Sequence, residues 1–228
     1  MNKQDIVIFG TSKIAEIVFD CLRNDEATNL NPVAFCVDEE FYQENEKFGL
    51  PVVRFEEVEK FYNPKKVAML VAIGYHGMNS IRTKKCQAVV EKGYRLATYI
   101  HSNVELPSSV SVGVNSIILN DVSIGSFAQI GNNVCIFSNA VVAHHVTVQD
   151  NVWITSGTVV GGNTTIGMNC FLGINSTIAH NVTIGNCNFI GTNAILTKDT
   201  EDNAVYIVPD TPKYRLNTEQ FMRMFKFD

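Results

Sequence analysis

The feature that most constrains this chain is a six-residue period in its second half. Counting on from Val112, every sixth residue is aliphatic: Ile118, Ile124, Ile130, Ile136, Val142, Val148, Ile154, Val160, Ile166, Leu172, Ile178, Ile184, Ile190 and Leu196. That makes fifteen successive positions, and Leu106 extends the series backwards. A helix repeats about every 3.6 residues and a strand about every 2, so neither alone gives this pattern. Gly follows the aliphatic position at 113, 125, 131, 161, 167, 173, 185 and 191. Four positions after it come small or slim residues: Ser116, Ala128, Ala140, Thr158, Thr164, Cys170, Ser176 and Ala194.

A chain that turns a corner every six residues closes a triangular prism, three hexads to a coil, so fifteen hexads predict five coils. Each aliphatic residue points inward and stacks on its counterpart one coil along, with the small residue beside it. Gly and Asn (Asn120, Asn133, Asn139, Asn163, Asn181) suit strained corner backbone. One coil buries little alone, so stacking supplies the stability. The competing all-β fold is a sandwich, whose strands recur about every eight to twelve residues with irregular loops. Val122, Val134, Val146 and Val182 are expected on the outside of the flat faces, burying one face against other copies in a trimer.

The first hundred or so residues have a different texture. IVIF at 6–9 is a β-branched run closed by Gly10, and Ile14, Val18 and Leu22 share one face of a following helix. PVAFCV at 32–37 and VAMLVAIG at 67–74 are further strands, 81–92 a second helix, and LATYI at 96–100 another strand. Strand–helix alternation predicts a parallel sheet with helices on its faces, a small α/β Rossmann-like domain.

Composition narrows the function classes. The chain has 228 residues, 46% hydrophobic, and a net charge of −5 without a basic block, which argues against a nucleic-acid surface and an anionic-membrane patch. MNKQDIVIFG at the start suits a first strand rather than a signal peptide. The longest apolar stretch, 67–74, is far short of the roughly 20 residues that span a bilayer. Six cysteines at 21, 36, 86, 135, 170 and 187 show no CxxC spacing, so buried reduced thiols in a cytoplasmic protein are expected.

IVIFGTSKIAEIV at 6–18, VDEE at 37–40, AIGYHGMNSIR at 72–82 and the repeat block, above all IGMNCFLGINSTI at 166–178, resemble the hexapeptide-repeat sugar acyltransferases of the PglD/NeuD-like group. The resemblance covers nearly the whole chain. It implies a nucleotide-sugar-binding domain over 1–101, a left-handed parallel β-helix over 102–200 and a tail over 201–228. It also implies a homotrimer with acetyl-CoA between neighbouring prisms. The activity implied is N-acetylation of the amino group of a UDP- or dTDP-linked amino-deoxysugar.

Acyl transfer from a thioester to an amine needs a held amine, a base and donors for the developing oxyanion. The resemblance places the catalytic histidine on His144, two residues after the inward Val142 and so near a corner. Two departures stand beside it. His145 occupies the place of a supporting carboxylate, and Trp153, the only Trp, occupies that of a second histidine near the thioester. Trp153 is expected either to pack on pantetheine or to fill the trimer seam. Replacing His145 is expected to cost much less than replacing His144. For acetyl-CoA the resemblance points to Gly162, Ile174 and Thr192, and VPDTPKYR at 208–215 offers Lys213 for its phosphates. Gly10, Thr11, Ser12, Asp38, Gly74 and Tyr75 follow successive strands at the edge where such sheets bind nucleotides. No metal is expected: His144 and His180 lie two coils apart, roughly 10 Å, too far for shared coordination at about 2 Å. Two rival functions remain, a sialic-type sugar O-acetyltransferase and a non-catalytic trimeric nucleotide-sugar binder.

Overall fold

The hexads fold as their period requires. In the computed structural model, which describes residues 3–225, fifteen two-residue strands run from Ser111–Val112 to Ile195–Leu196. Each of the first twelve pairs in parallel with the strand eighteen residues later, as in Cys135↔Trp153 and Val141↔Val159. Three parallel sheets result. Face one carries the strands starting at Ser111, Gln129, Thr147, Thr165 and Thr183, face two those at Ile117, Cys135, Trp153, Phe171 and Phe189, and face three those at Ser123, Val141, Val159, Thr177 and Ile195. From Ile118 to Leu196 every sixth residue is buried in one continuous core. Burying each such side chain contributes about 1.5–3 kcal/mol relative to leaving it in water.

Two details of the coil differ from expectation. Val122, Val134, Val146 and Val182 are buried, not outside. They occupy the same position as Ser116 or Ala140, four after the aliphatic residue, where the chain has turned the corner and points inward again. The buried hydroxyls at this position are satisfied one coil along: Ser116 donates to the Gly131 carbonyl at 2.9 Å and Thr164 to that of Ala179 at 2.9 Å. The glycines, too, serve a different purpose. A Cβ on Gly125 would stand 2.5 Å from the His144 backbone nitrogen, so glycine there permits coil-to-coil approach. Positive φ falls instead three positions after the aliphatic residue, at 115 and every sixth residue to 193, all between 54° and 70°. Asn120, one position early, is not among them.

The N-terminal sheet is built from β1 (Gln4–Phe9), β2 (Leu30–Val37), β3 (Glu46–Lys47), β4 (Leu50–Arg54) and β5 (Ala68–Val71). Its order is β3-β4-β2-β1-β5, parallel except for the β3 edge. Alternation along β1 divides its side chains between two cores: Ile6 and Ile8 pack with α1 (Lys13–Asn24), Val7 and Phe9 with α3 (Ser80–Glu91). The short β3–β4 hairpin and the one-turn helix α2 (Val58–Phe61) carry no sequence period long enough to announce them. The segment 96–100 divides between the two sheets: Leu96 bridges Met69, while β6 (Tyr99–Ile100) pairs with Ile117–Ile118 and starts face two.

Face two is where the two halves meet. Ile117, Cys135, Trp153 and Phe171 are buried in the same cluster as Ile6, Ile8 and Phe35. At the edge between faces one and two, the Asn115 side chain takes the Val71 N–H at 2.8 Å and donates to the Val71 carbonyl at 3.2 Å, capping the sheet's last strand. Asn115 also donates to Asn133 at 2.8 Å, and Asn133 to Asn151 at 2.8 Å, a ladder running up that edge. Beyond the last hexad, Val205–Tyr206 adds to face two and a short helix spans Thr218–Met222. The end of the expected tail, 226–228, lies outside the described residues. Among the described residues no helix is long and apolar enough to cross a membrane.

Candidate active site

Some of the sequence-predicted site residues gather in two separate places. The first is a cavity of about 680 Å³ at the carboxyl ends of β1, β2 and β5. Gly10, Thr11, Ser12, Asp38 and Gly74 line it, with Lys13, Glu40, His76 and Lys85. Gly10 has φ 121°, and a Cβ there would meet the Ala72 carbonyl oxygen at 2.8 Å, so the strand-to-helix turn needs glycine. The turn leads into the N-terminus of α1, which favours an anion. Asp38 is ion-paired with Lys85 at 2.7 Å. Strand-end reasoning could not find Lys85, which comes from a helix that crosses over from the other side of the cavity. Tyr75 is not among the lining residues: its ring leans on Phe171 at 4.4 Å and Trp153 at 5.6 Å, against the coil.

The second place is the edge between faces three and one, where His144 and His145 are exposed. Gly162, one coil along, lies beneath the His144 ring: a Cβ on it would stand 2.6 Å from Cε1 and 2.8 Å from Nε2. Its absence leaves open the space that the end of the imidazole occupies. His144 Nδ1 is 3.1 Å from His145 Nδ1. The bare Nε2 edge of such a ring can accept a proton, provided Nδ1 carries the hydrogen.

Neither of the two sites expected for Trp153 is where it lies. It is 2% exposed on face two, under the N-terminal sheet, with the Arg82 guanidinium 4.9 Å from its ring and Phe137 at 5.2 Å. It has no surface left for pantetheine or for a seam between copies. Arg82 is fully buried there, and among the described residues no carboxylate pairs with it. It donates to the Asn133 carbonyl at 2.6 Å and to the Cys135 sulfur. Burial pushes the neighbouring Cys86 thiol up to about 12 and raises Cys135, so both stay neutral beside the cation.

Ile174 and Thr192 stand on the edge between faces two and three, not on that of His144 and Gly162. Ile174 is 51% exposed, and Lys213 is exposed in the tail. Within one chain these residues flank face three from either side without meeting. Face three itself presents Val141, Val159 and Ile195 outward, the last 71% exposed. Among the described residues, no group of three or more His, Cys, Asp or Glu could hold a metal ion.

Residues 163–198 match the family model described as bacterial transferase hexapeptide (six repeats), so this stretch of the coil is built of hexapeptide repeats. No curated protein matches the sequence. Among solved structures, the chain is similar to the acetyltransferase domain of PglB from Neisseria gonorrhoeae FA1090, with TM-score 0.78 and 19% identity over 89% of this chain and 96% of that one. The same domain has been solved in complex with acetyl coenzyme A. It is also similar to a variant of GDP-perosamine N-acetyltransferase from Caulobacter crescentus in complex with CoA and GDP-perosamine, with TM-score 0.78 and 23% identity over 88% of this chain and 92% of that one. These likenesses establish the fold, and the parallel stacked sheets fit a left-handed β-helix.

Proposed function

We propose that the chain is an acetyl-CoA-dependent N-acetyltransferase for the amino group of a nucleotide-linked amino-deoxysugar. The observation that carries this reading is the pairing of a nucleotide-sized cavity at the strands' carboxyl ends with an exposed histidine over Gly162 on the coil. The solved relatives bound to CoA, acetyl-CoA or a nucleotide-linked amino sugar support it. The Rossmann-like sheet over 1–101 takes the nucleotide, with diphosphate near Gly10–Lys13 and Asp38 toward ribose or base. The β-helix over 102–200 takes the acyl donor, with Ile174 and Thr192 along one edge and Lys213 of the 201–228 tail near its phosphates.

His144 Nε2 accepts the proton as the amine nitrogen attacks the thioester carbonyl. A C–N bond forms, the tetrahedral intermediate collapses, the C–S bond breaks, and the thiol leaves with a proton. The cavity faces the side of the coil that carries face two, whereas His144 is on the opposite edge. A substrate held in the cavity therefore meets the histidine of a neighbouring copy. That geometry, with the exposed aliphatic residues of face three, supports a homotrimer. The six free cysteines support a reducing, cytoplasmic setting.

The test is a panel of UDP-, dTDP- and GDP-linked amino sugars with acetyl-CoA, read by thiol release and product mass. Acetylation of an amino sugar is the expected result, UDP or dTDP forms foremost, lowered about 10²–10⁴-fold in His144→Asn. Thiol release only with hydroxyl acceptors would mean O-acetylation, and binding without release would mean a non-catalytic binder.

A further inference from the structure

His145 sits in a row of corners that have a strong residue preference. Among the described residues, the fourteen corners at 115 and every sixth residue to 193 all adopt the left-handed conformation. Nine are Asn, with Asp121 and Gly157, residues that tolerate it. The remaining three are Phe127, His145 and Cys187. Phe127 has no side-chain polar group to ease a positive φ, yet it stands directly below His145 and is 56% exposed. Its ring stacks on the His145 ring, centroids 4.8 Å apart and planes at 28°. On the other side, the His145 and His144 rings stand nearly perpendicular, at 83°, joined Nδ1 to Nδ1 at 3.1 Å.

We propose that His145 is a positioning residue: its Nδ1 accepts the hydrogen of His144 Nδ1 and so holds His144 in the tautomer whose Nε2 is free, while Phe127 holds the His145 ring. This rests on the reading of His144 as the base. Two imidazole nitrogens 3.1 Å apart share one hydrogen. If His145 were the donor, neutral His144 would carry its hydrogen on Nε2 and have no lone pair there to receive another. With His144 as donor the Nε2 lone pair is exposed. When Nε2 is protonated, the Nδ1–H bond to neutral His145 becomes charge-assisted and stronger. A neutral ring thus does, without a charge, what a carboxylate does for other histidine bases. Gly162 leaves the ring space to adopt this orientation, and the stacked Phe127 restricts His145 to the rotamer that meets it.

The test uses the full chain with ¹⁵N-labelled histidine, His144 being assigned by its loss in His144→Asn. Nitrogen shifts distinguish the Nδ1–H from the Nε2–H tautomer of the neutral ring. The wild type is expected to show Nδ1–H at His144. His145→Gly keeps the corner conformation but removes the acceptor, and should return His144 to the Nε2–H form that prevails in water. His145→Asn places a carbonyl oxygen near the former Nδ1 position and should recover Nδ1–H. In turnover, His145→Gly should lower kcat about 10- to 100-fold with KM for acetyl-CoA within about twofold, and His145→Asn should restore most of the loss. Nε2–H at His144 in the wild type, or an unchanged tautomer in His145→Gly, would overturn the proposal. The tautomer is read without turnover. If the wild type shows Nδ1–H but acetylates no sugar, the proposed activity fails and the positioning does not.

Discussion

At the scale of single residues, Gly162 is the most informative position on the coil. Its backbone is not at positive φ, so alanine can adopt its conformation. What alanine would meet is the end of an exposed imidazole, 2.6 Å from the new Cβ. The ring can swing away into solvent, so the fold should barely register the change while His144 leaves its place. Gly162→Ala is therefore expected to keep its stability within about 1 kcal/mol and to lose about 10²-fold in kcat. Thermal melting and steady-state kinetics on the same preparation check this; a matching loss of stability would show the glycine to be structural only. The sequence located His144 two residues past an inward position, and hence at an edge. It could not reveal the clearance over Gly162 or the Nδ1 contact, because both depend on residues eighteen or one apart meeting through a corner conformation that the period leaves open. Trp153 shows the same limit from the other direction. Its position in the hexad made it outward-facing, but what covers it comes from α3 and Tyr75, in the other half of the chain.

At the scale of elements, two-residue strands and three-sided coils leave the corners to set the shape. The period was legible because one inward aliphatic residue per hexad is a demand made fifteen times over. The outward expectation for Val122, Val134, Val146 and Val182 failed for a physical reason: each stands four residues after one inward aliphatic residue and two before the next, so two-residue alternation puts it on the same, inner side. The position four after the aliphatic residue is inside the prism, and the side chain there can be as small as Ala or as large as Val. The corners themselves can be tested at Asn193, exposed and at φ 59°. Asn193→Ala puts a β-carbon without a compensating polar group in the left-handed region and should destabilise by about 1 kcal/mol. Asn193→Gly should be within a few tenths of the wild type. Denaturant melts of both variants decide it; equal stability of Ala and Gly would mean that the corner conformation costs little.

At the scale of the whole molecule, the sheet and the coil are joined through a buried face rather than by a linker. Arg82, Trp153, Phe171 and the Asn115 cap on β5 form one continuous contact. The cavity is lined in part by α3, which packs on face two, whereas His144 stands on the edge between the other two faces. The proposed reaction then has a quaternary signature. The protein should scatter light as three times its 25.3 kDa. Asp38→Ala should weaken the nucleotide sugar while leaving acetyl-CoA binding intact, because Asp38 lines the cavity and the donor edge is elsewhere. His144→Asn should keep both ligands and lose the rate. Each variant alone should be nearly inactive at low sugar concentration. Unfolded together in equal amounts and refolded, they should recover about a quarter of the wild-type rate, since one site in four then pairs an intact cavity with an intact histidine from a neighbour. The recovery depends on the two groups coming from different chains: if one chain supplied both, no mixed assembly would contain a complete site, and mixing would restore nothing.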